Sequence, residues 1–273
     1  MVTSKKKKTF LKLSIQVSLN GLSFCVLNTE NKTIVFYKKE TFTAQLNPAK
    51  VLAEIKLLYQ KESGLQQEVD EVIVIFSNSF YSLVPASLFS EENVSNYLKF
   101  NTKILRTDFI AYDELQVNDI VNVYIPYTNI INYFFDRYGE FEYRHSITVL
   151  IEELLKLPGD DEPKIYLYNR NNEYDLVIVE NGELLLCNTF SYSTREDFLY
   201  YILFTAEQLN LDPLEMDLRF LGNIDRDSPF YKIAYDYVKN ISFPDIFYPF
   251  EYSETIEKPL KQSDEYILLK SLL

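Results

Sequence analysis

The sequence predicts a mixed α/β fold of two lobes, each built on the order βββαβα. Three observations carry that reading. Residues 11–28, "LKLSIQVSLNGLSFCVLN", alternate apolar and polar side chains and turn back at Ser18-Leu19-Asn20-Gly21, the pattern of a half-buried hairpin. "VDEVIVIFS", Val69 to Ser77, is a short β-branched run following an amphipathic helix, the expected form of a buried parallel strand. The same succession returns after residue 163 with negligible identity between the halves, a repeat of order and not of residues.

Taken in order, the hairpin leads through Thr29-Glu30-Asn31-Lys32 into a third strand, Thr33 to Thr41. Asn47 caps and Pro48 opens a helix whose apolar face is Val51, Leu52, Ile55, Leu58 and Tyr59. After the Val69–Ser77 strand comes a smaller inserted unit, about residues 78–145. In it Ser90 to Phe100 reads as a short helix and Val121 to Ile125 as a strand. Ile130, Ile131, Phe134 and Phe135 form a helical stripe that Gly139 ends in a left-handed turn. A further strand and a helix starting at Ser146 complete the half, and Pro158-Gly159-Asp160-Asp161-Glu162-Pro163 breaks the chain. Beyond it, Lys164–Asn169, Tyr174–Glu180 and Glu183–Tyr192 are three strands, joined at Arg170-Asn171-Asn172 and Asn181-Gly182. A helix from about Thr194 to Leu209 follows, with Ser193 and Glu196 at capping-box spacing. The strand Met216–Gly222 and a helix opening at Ser228-Pro229 close the repeat. The expected organisation is a basic tail over 1–9, a first lobe over 10–157 holding the insert, a second lobe over 158–243, and a C-terminal tail over 244–273 that packs back on the first lobe.

Composition excludes several classes of function. A net charge of −13 disfavours a nucleic-acid partner, because such binding relies on Lys and Arg displacing counterions. Lys5–Lys8 precedes an alternating strand and not a continuous apolar core, so it reads as a solvated tail and not a secretory signal. No run approaches 18 apolar residues, which argues against a transmembrane span. Cys25 and Cys187, without CxxC spacing, read as buried reduced thiols of a cytoplasmic protein. One His and two distant Cys cannot build a zinc site. His145 as a general base has no nucleophile beside it in sequence; a strand-end residue before a Ser146 cap is the expected role. Asp160-Asp161-Glu162 reads as a solvated linker, and Asp225 and Asp227 as turn and cap residues, each ahead of a divalent-ion role.

This order, with a strand ending in "YIP" (Tyr124 to Pro126), a helix, Gly139 and a strand, resembles the actin-like ATPase superfamily of sugar kinases, heat-shock chaperones and actin homologues. Within it, the chain is similar to the pilus-assembly actin-like proteins and the cytoplasmic domain of the type II secretion L component. The resemblance spans about residues 10–240 and implies two ribonuclease H-like lobes that clasp ATP between hairpin turns. It also implies an Asp-x-Gly-type turn in each hairpin, the Asp orienting metal and water and the Gly admitting backbone amides to phosphate. Here the acidic position falls near Gln16 or Ser18, and residues 10–28 contain no Asp. Gly21 remains, but an Asn-Gly pair is explained by the turn alone. The second stretch, Tyr168-Asn169-Arg170-Asn171-Asn172, has neither Asp nor Gly, and the adenosine-side glycine pair falls at Gly222-Asn223.

Ser18, Asn20, Gly21, Asn169 and Gly222 are therefore the vestigial positions of a nucleotide site, with no catalytic residue, cofactor or metal expected. The resulting expectation is a non-catalytic scaffold or adaptor of the bacterial cytoplasm, from an uncharacterised family, that binds a protein or peptide; a homodimer is left open. The alternative is a divergent ATPase or small-molecule kinase using Asp175, Asp225 or Asp227. The aromatic tail around Phe243, Ile246, Phe247, Tyr248, Phe250 and Tyr252 is expected to seal the first lobe, with a docking strand for a partner as its other reading.

Overall fold

The computed structural model describes residues 10–100, 102–106, 108–157, 162–256 and 263–273. The basic run Lys5–Lys8 and Pro158–Asp161 of the central break lie outside the described residues.

The first half holds β1 (Leu11–Val17), β2 (Gly21–Asn28), β3 (Thr33–Thr41), α1 (Pro48–Lys61) and β4 (Glu71–Phe76). The insert adds β5 (Tyr81–Pro85), α2 (Val94–Leu98), β6 (Ala111–Glu114) and β7 (Ile120–Tyr124). The half ends with α3 (Thr128–Tyr138), β8 (Glu142–His145) and α4 (Ser146–Leu155). The second half holds β9 (Lys164–Arg170), β10 (Glu173–Glu180), β11 (Glu183–Ser191), α5 (Arg195–Gln208), β12 (Asp217–Gly222), α6 (Pro229–Tyr237) and β13 (Asn240–Ser242). Last come β14 (Glu251–Tyr252) and α7 (Tyr266–Lys270).

The duplication is explicit in the sheets. One runs β14-β3-β2-β1-β4-β8 and the other β11-β10-β9-β12-β13. In each, the first three strands pair antiparallel, and the strand after the first helix lies parallel to the opening strand. The strand after the next helix then adds in parallel at the far edge. Correspondence reaches single residues. Val35 is passed over in the β2–β3 register and Leu185 in the β10–β11 register, each the third residue of a nine-residue strand, so both third strands carry a bulge at the same place. The insert is a separate sheet, β5-β7-β6.

Alternation in the strands sorts side chains to the two faces. Leu13, Ile15 and Val17 pack with Val51 and Ile55 of α1 and Ile130 and Phe134 of α3 on one side of the first sheet. Ile165, Leu167, Leu176 and Ile178 pack with Phe198 and Ile202 of α5 and Ala234 of α6 on one side of the second. Between the sheets lie α4 and α7. Cys25, Ile73 and Ile75 of one sheet and Tyr166, Val177 and Val179 of the other join Ile147, Leu150, Ile151 and Tyr266–Leu269 in a single core. Burial of α4 on all sides includes two carboxylates. Glu152 pairs with Arg144 at 2.8 Å, and Glu153 with Lys156 and Lys270 at 2.6 and 3.2 Å.

Several local expectations are corrected. The cap of α4 is His145, whose Nδ1 accepts from Ile147 N–H at 3.2 Å, and Ser146 is the first helical residue. The capping box of α5 is Thr194 with Asp197, one residue beyond the Ser193–Glu196 spacing. Gly139 does end α3 at positive φ, but its ψ of −127° lies outside the left-handed helical region. Phe135 is 61% exposed, so the apolar stripe of α3 is narrower than expected. Cys25 is buried and Cys187 half-buried, and both are free thiols. The tail turns back along the first sheet: β14 pairs with the β3 edge, Glu251 opposite Thr33, Tyr248 is buried and Phe247 exposed.

Candidate functional site

The two hairpin turns face each other across a cleft of about 180 Å³. Its walls are the β1–β2 turn, the β9–β10 turn, Ser77–Phe80 after β4, Asn223 after β12, and Asp264 and Glu265 before α7. Of the positions singled out in the sequence, Ser18, Asn20, Gly21 and Asn169 line this cleft together, and Gly222 stands one residue outside it.

The chain itself takes up much of the polar capacity of both turns. The Ser18 hydroxyl donates to Gly21 O at 3.0 Å and accepts from Asn20 N–H at 3.2 Å. The carbonyls of Leu19 and Asn20 accept from Leu46 and Phe42 N–H at 2.8 and 2.9 Å, which straps the loop after β3 over the turn. In the second turn Asn169 Nδ2 donates to Asn223 O at 2.6 Å, and Asn169 Oδ1 accepts from the Tyr192 hydroxyl at 2.8 Å. The same hydroxyl lies against Asn171 O, so its single proton is shared between the two acceptors.

Two of the glycines have structural reasons to be there. A Cβ on Gly222 would sit 2.2 Å from Asn169 O, and its φ of +77° already disfavours a side chain. A Cβ on Gly21 would meet Glu40 O at 2.6 Å across the β2–β3 ladder. Both close approaches are to the protein's own backbone.

Arg170 is the central charged group. Its Nη1 donates to Ser77 Oγ across the cleft at 2.8 Å, and its Nη2 pairs with Asp175 Oδ1 at 2.8 Å. Asp175 is fully buried and accepts a second bond from Thr189 Oγ1 at 2.6 Å. Burial lifts the Asp175 carboxyl above the ordinary range, while Arg170 and Thr189 pull it down. Burial likewise opposes the Arg170 charge, and Asp175 and Glu173 outweigh it. Opposite, Lys39 meets the buried Glu265 at 2.6 Å. The charged groups on the walls are Lys39 and Arg170 against Glu40, Glu173, Asp264 and Glu265.

The remaining titratable candidates lie elsewhere. His145 is fully buried beneath the insert, its ring near those of Tyr81 and Tyr124. Burial, with Arg170 nearby, lowers its pKa to about 3, so it is neutral at physiological pH. Asp225 Oδ1 accepts from Asp227 and Ser228 N–H at 3.0 Å, turn bonds at the entrance to α6. Sequence reasoning passed over Arg170, Lys39 and Glu265 as wall residues. One signal was available: Asp175, inside the apolar run "YDLVIV", needs a buried cation.

Together the sheets, the sandwiched helices and the cleft between hairpins define an actin-like fold, as the sequence predicted. The chain is similar to a Bacteroides thetaiotaomicron protein with an actin-like ATPase fold and unknown function, at 21% identity over 89% of this chain and 94% of that one, TM-score 0.73. It is similar also to the PilM–PilN type IV pilus biogenesis complex, at 12% identity over 96% and 98% of the two chains, TM-score 0.61. At these identities the likeness shows the fold alone. Residues 3–241 match the model of DUF3822, a protein of unknown function, and the chain belongs to that family. No curated protein matches the sequence. Among the described residues, no helix is long and apolar enough to cross a membrane.

Proposed function

We propose that this chain is a non-catalytic actin-like scaffold of the bacterial cytoplasm, with a degenerate nucleotide site, that holds a protein or peptide partner. The observation that carries the reading is the internal occupation of the cleft. Ser18 and Asn169 bond within the chain, and the Arg170–Asp175 pair stands on the strands beside the second turn, where the superfamily resemblance implies an acid open to metal. Four wall carboxylates against two cations also make the cleft a poor host for a triphosphate. PilM, a protein of the same fold, is found in complex with PilN, which favours a protein partner over a small substrate. The open edge of the second sheet, β11 beyond its bulge at Leu185, offers main-chain groups for an added strand.

Calorimetric titration with ATP and magnesium tests the reading. No saturable heat is expected at micromolar nucleotide, and a micromolar dissociation constant overturns it. For the divergent-ATPase alternative, Asp175 is buried behind Arg170, and Asp225 is engaged in the turn that Asp227 shares. Single-turnover phosphate release that disappears on replacing one of these acids would restore that alternative.

A further inference from the structure

The third strands of the two halves are the outer strands of the repeated frame, and both are covered at the same point by different means. On β3, Glu251 N–H of β14 donates to Lys32 O at 2.9 Å, with Glu251 opposite Thr33, the first residue of the strand. On β11 the corresponding residue is Glu183, and among the described residues no strand lies beside it. Instead the side chain of Asn118, from the β6–β7 connection of the insert, reaches over. Its Nδ2 donates to Gly182 O at 3.2 Å, and its Oδ1 accepts from Leu184 N–H at 2.7 Å. One carboxamide thus bonds the residues on either side of Glu183, as the N–H and C=O of a parallel-strand residue do.

The connection that presents Asn118 is strained in its favour. Asn118 and Asp119 have φ of +63° and +46°, two successive non-glycine residues in the left-handed region. Such a conformation persists where surrounding contacts over-determine it, and here Asp119 O accepts from Ala86 N–H at 2.7 Å. A second contact lies farther along β11, where the Tyr81 hydroxyl of β5 meets Thr189 Oγ1 at 3.1 Å. The insert belongs covalently to the first half, so these bonds join it to the second.

We propose that Asn118 is a latch: it closes the insert onto the β11 edge and fixes the relative position of the two lobes, and its release lets the second lobe swing away from the insert. The inference rests on sheet-edge geometry and is independent of what the cleft binds.

Amide hydrogen exchange and small-angle scattering on the full chain test it with Asn118→Gly, which relieves the positive φ while removing both bonds. Exchange at the Leu184 amide is expected to rise about five- to tenfold, the loss of one hydrogen bond, together with a larger radius of gyration. The Leu115 amide, which donates to Ile120 O at 2.9 Å within the insert, should be unchanged. Unchanged Leu184 exchange overturns the proposal, and so does faster Leu184 exchange with an unaltered radius. Should Asn118→Gly also loosen Leu115, Asn118→Asp decides. It keeps the acceptor for Leu184 and sets an oxygen against Gly182 O; a larger radius supports the latch, and the native radius overturns it.

Discussion

Arg170→Met is the most informative perturbation of the cleft. Arg170 and Asp175 meet at 2.8 Å with side-chain exposures of 15% and 0%, so the pair is desolvated and its attraction little screened. Methionine keeps most of the volume and removes the cation. Stranding one partner of a buried pair costs about 3–5 kcal/mol, and Ser77 loses its donor as well. For a domain of this size that is a fall of roughly 10 °C in Tm. The pH dependence is specific. With its cation gone, the Asp175 carboxyl, already raised by burial, rises further above its unfolded value. The deficit is then complete at neutral pH and shrinks as pH falls through the raised folded pKa, because the folded variant takes up a proton that the unfolded chain does not. His145 works in the same direction, since Arg170 also opposes its protonation. Urea unfolding of wild type and variant at pH 7 and pH 5 measures the difference. Adding Asp175→Asn should bring stability back to within about 1–2 kcal/mol of wild type, because a neutral pair removes the stranded charge. A cost below about 1 kcal/mol, or an equal cost at both pH values, refutes the claim that this pair is a desolvated lock.

Two further outcomes separate structural from ligand-binding roles. Gly222→Ala should cost well above about 3 kcal/mol in denaturant unfolding, since its Cβ would fall 2.2 Å from Asn169 O in addition to the strain of its positive φ; Gly139→Ala, with nothing within 4 Å, should cost only the backbone strain of about 2–3 kcal/mol. Equal costs would mean that the close approach at Gly222 is not tight. The His145 imidazole, with its pKa lowered to about 3, should show no NMR titration between pH 5 and 8, and a midpoint near the ordinary value would contradict its burial. Because the unfolded chain takes up that proton below about pH 6.5, this residue lowers stability as the solution is acidified.

Much of the frame was legible because its signals are local. Alternation in Leu11–Val17, the Asn47-Pro48 start of α1 and the turn at Asn181-Gly182 each specify an element within a few residues. What escaped notice depends on distant partners. The strands β5 and β6 are short, one ends in a proline and the other in Asp-Glu, and only pairing with β7 makes them strands. The five residues of α7 lie in a tail expected to pack back on the first lobe, yet they form a helix with four residues buried between the two sheets. The box on α5 was misplaced by one residue because Ser193 and Thr194 both satisfy the spacing, and only the backbone of Thr194 is placed to use it. At the cleft, the missing Asp was legible. Arg170 reads as a turn residue by position, and only the carboxylate of Asp175 inside an apolar run signals that a cation must fold back to it.

The geometry of the cleft sets a bound on what could enter it. A nucleotide held at about 1 μM has some −8 kcal/mol of binding free energy. A nucleotide whose phosphates and cation displaced Arg170 from Ser77 and Asp175 would break both contacts. Leaving Asp175 unpaired costs about 3–5 kcal/mol, so the same contacts would hold that nucleotide only near 1 mM. A magnesium ion brought to Asp175 in place of the guanidinium would have to shed water to reach a fully buried carboxylate. The two halves meet through contacts of the chain itself, Arg170 on Ser77 and the apolar core around α4 and α7, with Lys39 on Glu265 at the cleft wall.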